Sequence, residues 1–339
     1  MTYKTFVLTR VGVSETTMAA TWVTHLCPGY GLQDTSNHSS LPWKEPTQSN
    51  TIFFVQTSCS ANLSPREACA VESAAHHHPT RPVLVLMTAL ALDSAHPLLQ
   101  VVRGLDNVSF GWLDLDRVFG GPGELQEWHA DRMWLLNEDR APTAVSDAAR
   151  AEVLRRFGGT YVDLDAIILR RFPDASNWLG RLDQRMITNA VLSFRKGHPL
   201  LQAAVASIPT SFIPSKCCSL GPDLFTDLLH QRCPDNITIP ASAPPDAAEY
   251  CGDIVVYPWN AFYPIFYTPR ELESISKNGE GLGPAFFSDE RTKDAFSLHL
   301  YHSLNHRPLS LGGDSILEEA AKRSCPKVHR FLLSHQGWM

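Results

Sequence analysis

The stretch that most constrains this chain is residues 157–169, Phe-Gly-Gly-Thr-Tyr-Val-Asp-Leu-Asp-Ala-Ile-Ile-Leu. Gly158-Gly159 stops a helix, and the β-branched, aromatic and aliphatic residues that follow specify a buried strand with two carboxylates at its midpoint. Side chains alternate along a strand, so Tyr161, Asp163 and Asp165 are expected on one face, with Val162 and Leu164 on the other. Two adjoining buried carboxylates cost roughly several kcal/mol in desolvation and repulsion unless something positive lies between them. A hard divalent cation removes that cost. All-oxygen donors suit Mg²⁺, Mn²⁺ or Ca²⁺ rather than Zn²⁺, and two carboxylates leave positions open for a phosphate-bearing ligand. An isolated Asp-x-Asp also caps turns and solvates loops, so the flanking sequence has to decide.

Ser146-Asp147-Ala148-Ala149-Arg150 precedes the glycine pair and reads as a helix start, with Ser146 as N-cap and Asp147 suited to the helix dipole. Asp147 and Arg150, three apart, share one helical face as an exposed polar pair. The composite pattern, Ser146, Asp147, Arg150, Gly158, Gly159, Tyr161, Asp163 and Asp165, resembles the α-1,4-galactosyltransferase and α-1,4-N-acetylglucosaminyltransferase family. The resemblance runs from about residue 52 to about residue 326. It takes in Thr57-Ser58, residues 71–75, Thr188-Asn189-Ala190, Gly221-Pro222, residues 262–265 and Ser297-Leu298-His299.

That resemblance implies an α/β fold of GT-A type, a Rossmann-like nucleotide-binding sheet with helices on both faces. It also implies a division into a poorly ordered lead-in without visible anchor, residues 1–49, and a catalytic domain, residues 50–339. The implied activity is retaining transfer of a hexose, galactose or an N-acetylhexosamine, from a UDP-sugar to a galactose-terminated glycolipid or glycan with an α-1,4 linkage. The implied cofactor is Mn²⁺, or Mg²⁺, held by Asp163, Asp165 and His299. Asp163, Asp165 and Asn189 are the implied catalytic residues, and Asp147, Arg150, Tyr161, Thr57, Ser58, Asp223 and Tyr263 the implied substrate contacts. Relatives often carry Gln where Asp223 stands, and Tyr263 either stacks on the acceptor sugar or packs in the core. No carboxylate is assigned as a covalent nucleophile, which suits a front-face route in which the leaving phosphate helps deprotonate the acceptor.

Composition bears on partners. Charged residues are 19% of the chain, with 29 basic against 35 acidic, so no broad basic face for nucleic acid is indicated. No run of about 18 apolar residues occurs; the best N-terminal candidate, residues 6–27, is interrupted by Arg10 and Glu15. Members of the resembled family are type II membrane proteins of the Golgi, so membrane association and a Golgi-lumenal catalytic domain are expected from the family although no anchor is visible. Eight cysteines without C-x-x-C spacing favour disulfides over zinc, and sequons at Asn37, Asn62, Asn107 and Asn236 agree with a secretory route. Cys59 with Cys69 and Cys233 with Cys251 bracket short loops and are the expected local bridges.

In order along the chain, residues 52–56 read as a strand, 64–77 as a helix and 82–87 as a buried strand, a β-α-β unit. Its ligand edge lies beyond the strands' C-terminal ends, so Thr57, Ser58 and the residues after Met87 should rim a nucleotide pocket. His76-His77-His78, followed by Pro79, reads as a solvated helix end rather than a metal site. Strands are expected near 108–113 and at 187–194, and a helix from Gly221-Pro222. Phosphatases that are phosphorylated on the first aspartate of Asp-x-Asp place it near the domain start and follow it with Thr or Val, whereas here Ala166 follows mid-chain. A metal-dependent sugar-binding protein, or an inactive transferase homologue, remains as the alternative.

Overall fold

The computed structural model describes residues 26–27, 38–234, 248–279, 281–305 and 311–335. The elements that position the site are β1 (Ile52–Gln56), α1 (Pro65–His77), β2 (Val83–Met87), β3 (Val108–Trp112), α2 (Ala141–Phe157) and β4 (Gly159–Val162). After these come β5 (Ala166–Ile168), β6 (Trp178–Arg181), β7 (Ile187–Phe194), α3 (Pro199–Ser211), α4 (Pro222–Arg232), β8 (Glu249–Cys251) and β9 (Ile254–Tyr257). β10 (Ser297–His299), α5 (Ile316–Ser324) and α6 (Pro326–Ser334) complete the set.

An eight-stranded sheet has the order β8-β9-β6-β7-β4-β1-β2-β3. β4, β1, β2 and β3 are parallel, while β7 runs antiparallel to both β4 and β6. Every residue of β1 and of β2 is buried. The period of two sorts them onto two cores. Ile52, Phe54, Val83, Val85 and Met87 pack under α1, α5 and α6, and Phe53, Val55, Leu84 and Leu86 pack under α2, α3 and α4. Helices therefore cover both faces, as expected for an α/β sheet of this type.

α1 starts as the sequence predicts: Ser64 is the N-cap in a capping box with Glu67, and Pro65 occupies the first turn. α2 does not. It begins at Ala141 with Pro142 in its first turn, which puts Ser146 inside the helix, where its hydroxyl accepts from Arg150 instead of capping. A proline at a first helical turn outweighs a downstream serine as a start signal.

The strand expected to run through the two aspartates is broken. β4 ends at Val162, Asp163 to Asp165 form a turn closed by Ala166 N–H donating to the Asp163 carbonyl at 3.1 Å, and β5 starts afresh. β5 leaves the large sheet and pairs antiparallel with β10, with Ala166 opposite His299. Two carboxylates in a turn keep access to solvent and ligand that a strand buried on both faces would deny them.

Three disulfides link described residues: Cys27–Cys59, Cys69–Cys325 and Cys233–Cys251. The last is as expected from spacing. The expected Cys59–Cys69 bridge is replaced because the two lie on opposite faces of the sheet, Cys59 against the α2 side and Cys69 within the α1 core. Cys69 instead ties α1 to the junction of α5 and α6, and Glu72, one turn on, accepts from the Lys327 and Val328 N–H groups at 2.9 and 2.7 Å. A carboxylate at a helix N-terminus satisfies orphan donors and the dipole together. The end of the histidine run is not solvated: His78 is buried, donating from Nδ1 to the Ala74 carbonyl and accepting from Phe172 N–H at Nε2. Of the lead-in, residues 38–40 pair antiparallel with Ala91–Asp93, and Asn37 and Asn236 lie outside the described residues.

Candidate active site

Beyond the C-terminal ends of the parallel strands lies a crevice of about 920 Å³, lined by Thr57 and Ser58 after β1, Arg66 and Glu67 on α1, Ser146 and Arg150 on α2, and Asp163 and Asp165 in the turn. The rim differs from expectation at one point. Thr88, directly after β2, is fully buried and bonds the Gln56 carbonyl, and the crevice wall is made by His96, Pro97 and Leu98 instead. Thr57 donates its hydroxyl to the Pro142 carbonyl at 2.8 Å, which joins the end of β1 to the start of α2.

Asp163, Asp165 and His299 bring one donor atom each within 4.8 Å of one another. His299 Nε2 is buried and lies 3.2 Å from Asp165 Oδ1 and 3.8 Å from Asp163 Oδ2. The pairing of β5 with β10 carries this histidine across more than a hundred residues to the turn. His302 N–H donates to Asp165 Oδ2 at 2.8 Å. Burial would raise the Asp165 carboxyl, but the charge of His299 and the bonds from His299 and His302 outweigh it and hold the group well below the usual carboxylate range. Burial likewise opposes charge on His299, and Asp165 with Asp163 overrides it, lifting the imidazole to about 10. Two carboxylates and one buried imidazole make a donor set that fits a divalent cation such as Mn²⁺ and is built to hold positive charge.

Arg150 organises the floor. It lies over the Tyr161 ring at 4.4 Å, donates to the Ser146 hydroxyl at 2.9 Å and the Asn189 carbonyl at 3.1 Å, and pairs with Asp163 Oδ1 at 3.0 Å and Asp147 Oδ1 at 3.3 Å. Asp147 also accepts from Asn189 Nδ2 at 2.9 Å, and Tyr161 donates its hydroxyl to Asp163 Oδ1 at 2.5 Å. Asp147 and Arg150 therefore form no exposed pair: they are 5% and 6% exposed. Burial pushes the Asp147 carboxyl upward against the opposing pull of Arg150 and Asn189. Asn189 sits inside β7 rather than in a turn.

Two residues singled out in the sequence stand apart. Asp223 is engaged by Lys216 at 2.8 Å and does not line the crevice. Tyr263 is buried with its ring 5.6 Å from that of His299, so it packs behind the histidine. Arg66 was not legible as a site residue: it donates to the Asn305 carbonyl at 2.5 Å and feels the charge of Asp165. Its only sequence signal is its place in the first turn of a helix that follows the ligand edge of β1.

A cation-ready carboxylate cluster at the ligand edge of a parallel sheet, with an open crevice beside it, has the layout of an α/β enzyme site. Comparison with known proteins makes the class specific. A family model described as the alpha 1,4-glycosyltransferase conserved region matches residues 193–332, and another, the glycosyltransferase sugar-binding region containing the DXD motif, matches residues 64–184. Human lactosylceramide 4-alpha-galactosyltransferase is 31% identical over 293 residues, 85% of this chain and 78% of that protein. Human alpha-1,4-N-acetylglucosaminyltransferase is 27% identical over 300 residues, 83% and 80% of the respective chains. The solved galactosyltransferase LgtC, in complex with donor and acceptor sugar analogs, aligns at 12% identity and a TM-score of 0.42 over 83% of this chain and 95% of its own, too loose a fit to transfer residues. The chain belongs to the α-1,4-glycosyltransferase family, and it is a glycosyltransferase.

Proposed function

We propose that the protein transfers a hexose from a UDP-sugar to a galactose-terminated glycolipid or glycan, forming an α-1,4 linkage with retention at the anomeric carbon. The observation that carries this reading is the convergence of Asp163, Asp165 and His299 at the edge of the crevice. The crevice has room for a nucleotide-sugar, and the named acceptor of the human relative, lactosylceramide, supports a glycolipid.

Asp163, Asp165 and His299 would hold Mn²⁺ or Mg²⁺, which when bound supplies positive charge to a departing diphosphate. The remaining roles fall to side chains. Thr57, Ser58, His96 and Leu98 wall the far part of the crevice and suit the nucleoside. Arg150 pairs with Asp163 and orients it, and with Tyr161 and Ser146 fixes the shape of the floor. Asp147 and Asn189, bonded to each other and buried, would supply polar groups to sugar hydroxyls. Asp147 Oδ1 already takes a hydrogen bond from Asn189 and an ion pair with Arg150, which suits a positioning role better than a covalent nucleophile and agrees with front-face transfer. A Golgi-lumenal site of action is consistent with three disulfides. Among the described residues no helix is long and apolar enough to cross a membrane.

The test is a donor screen of the purified protein with Mn²⁺, reading UDP release and product linkage across UDP-sugars with lactose-type acceptors. Acceptor-dependent UDP release with an α-1,4 product is expected. Tight sugar binding with no turnover for any donor would replace this reading with that of a sugar-binding homologue.

A further inference from the structure

We propose that Cys217 and Cys218 form a vicinal disulfide in the mature protein, a covalent brace on the loop that holds Gly221 against Asp147 and Asn189. The other six cysteines are bridged, and Cys217 and Cys218 are the two left as free thiols. These two sulfurs do meet: their Sγ atoms are 2.6 Å apart, well inside ordinary contact between unbonded sulfurs.

The pair occupies the node of the loop between α3 and α4. On the loop side, Lys216 N–H donates to the Ile213 carbonyl at 2.9 Å and Ile213 N–H to Ser219 Oγ at 3.2 Å. On the helix side, the Cys218 carbonyl accepts from Gly221 N–H at 3.1 Å and Asp223 N–H at 3.2 Å, and Lys216 pairs with Asp223 at 2.8 Å. Gly221 is where this loop touches the active-site network: a Cβ there would lie 2.9 Å from Asn189 Oδ1 and 3.2 Å from Asp147 Oδ2. Joining the two sulfurs closes an eight-membered ring around the peptide link between Cys217 and Cys218. The ring removes torsional freedom from the residues that set the height of Gly221.

The step balances as thiol–disulfide exchange with a protein disulfide oxidoreductase of the secretory lumen. The exposed Cys217, as thiolate, attacks one sulfur of the oxidoreductase disulfide and releases the other as a thiolate. Cys218, deprotonated in turn, attacks Cys217 Sγ in the mixed disulfide, forming the Cys217–Cys218 bond and releasing the second thiolate. The two cysteines lose two electrons and two protons; the oxidoreductase takes up both electrons and becomes a dithiol. Adjacent Cα atoms are about 3.8 Å apart, below the roughly 4.4–6.8 Å span of ordinary disulfides. This bond should therefore be the first of the four to open under mild reductant.

The bond itself does not depend on the catalytic reading, whereas its effect on turnover rests on the proposed transfer reaction. Protein recovered from the secretory pathway would be denatured with iodoacetamide and no reductant, then digested with trypsin. The peptide of residues 217–232 is expected to carry no label at Cys217 or Cys218, both lacking a hydrogen and neither linked to another chain; label on both, or a bridge to another chain, overturns the bond. For the brace, the double variant Cys217→Ser, Cys218→Ser is expected to lose about tenfold in kcat/KM, short of the hundredfold that a 1 Å misplacement brings, with unchanged affinity for UDP. Should that variant fail to fold, limited phosphine reduction of the wild type supplies the same comparison, with activity restored on reoxidation. Wild-type kcat/KM in the double variant, or in reduced protein shown to be open only at this pair, overturns the brace. If the wild type transfers no sugar at all, the proposed function fails, and the thiol labelling still decides the bond.

Discussion

Replacing Arg150 by alanine is expected to destabilise the whole protein. Arg150 is 6% exposed, and its guanidinium compensates two carboxylates, Asp163 at 3.0 Å and Asp147 at 3.3 Å, while also bonding Ser146 and the Asn189 carbonyl and covering the Tyr161 ring. Truncation leaves at least one buried anion unpaired, and breaking a buried pair this way costs about 3–5 kcal/mol. At roughly 2–4 °C per kcal/mol in a large domain, the melting temperature should fall by about 6–20 °C. Chemical denaturation gives the free energy, and Arg170→Ala supplies the control. Arg170 pairs with Asp294 at 2.7 Å with both side chains largely in solvent, and its loss should cost about 0–1 kcal/mol. Adding Asp147→Leu to Arg150→Met should restore part of the stability, because it deletes one of the two orphaned anions. If Arg150→Ala unfolds within about 1 kcal/mol of the wild type, the network is not the electrostatic keystone argued above.

Metal binding should compete with protons at His299. Its imidazole titrates near 10 in the absence of a cation, so below that pH it carries a proton that a cation at the same nitrogen must displace, and Mn²⁺ affinity should weaken as pH falls. Calorimetry in buffers of differing ionisation enthalpy near neutral pH should show about one proton released per ion, and His299→Ala should abolish that release; equal release from both proteins removes the histidine from the site. Gly221→Ala places a methyl 2.9 Å from Asn189 Oδ1 and 3.2 Å from Asp147 Oδ2; kcat/KM should fall by about tenfold or more. An unchanged kcat/KM would show that this edge does not face the sugar. Asn107 should carry no glycan despite its sequon, because its Nδ2 lies within donor range of the carbonyls of Ala75, His78 and Arg81; a glycopeptide spanning it would contradict the packing.

The chain chemistry alone determined a good deal. Consecutive apolar runs at residues 52–56 and 83–87, either side of a helix-length segment, read as parallel strands buried on both faces, and Ser64 with Pro65 and Glu67 marks a helix start through local hydrogen bonds. Asp163 and Asp165 were readable as a charge problem that needs a cation, since two carboxylates set among apolar residues have few other solutions. What tertiary structure decided was everything that depends on long-range neighbours. Strand alternation assigned the two aspartates to a strand face, whereas a turn presents them, because β5 peels away to pair with β10 and brings His299 with it. Asp147 and Arg150 share a helical face in any reading, but only the packing of β7 against β4 and α2 buries them and hands them Asn189 and Asp163 as partners. Loop length favoured Cys59 with Cys69, yet a sheet separates them, and a sheet is invisible in a spacing. Local sequence sets what each segment can satisfy by itself; which buried charge meets which partner is set by segments hundreds of residues apart, through contacts that no local pattern encodes.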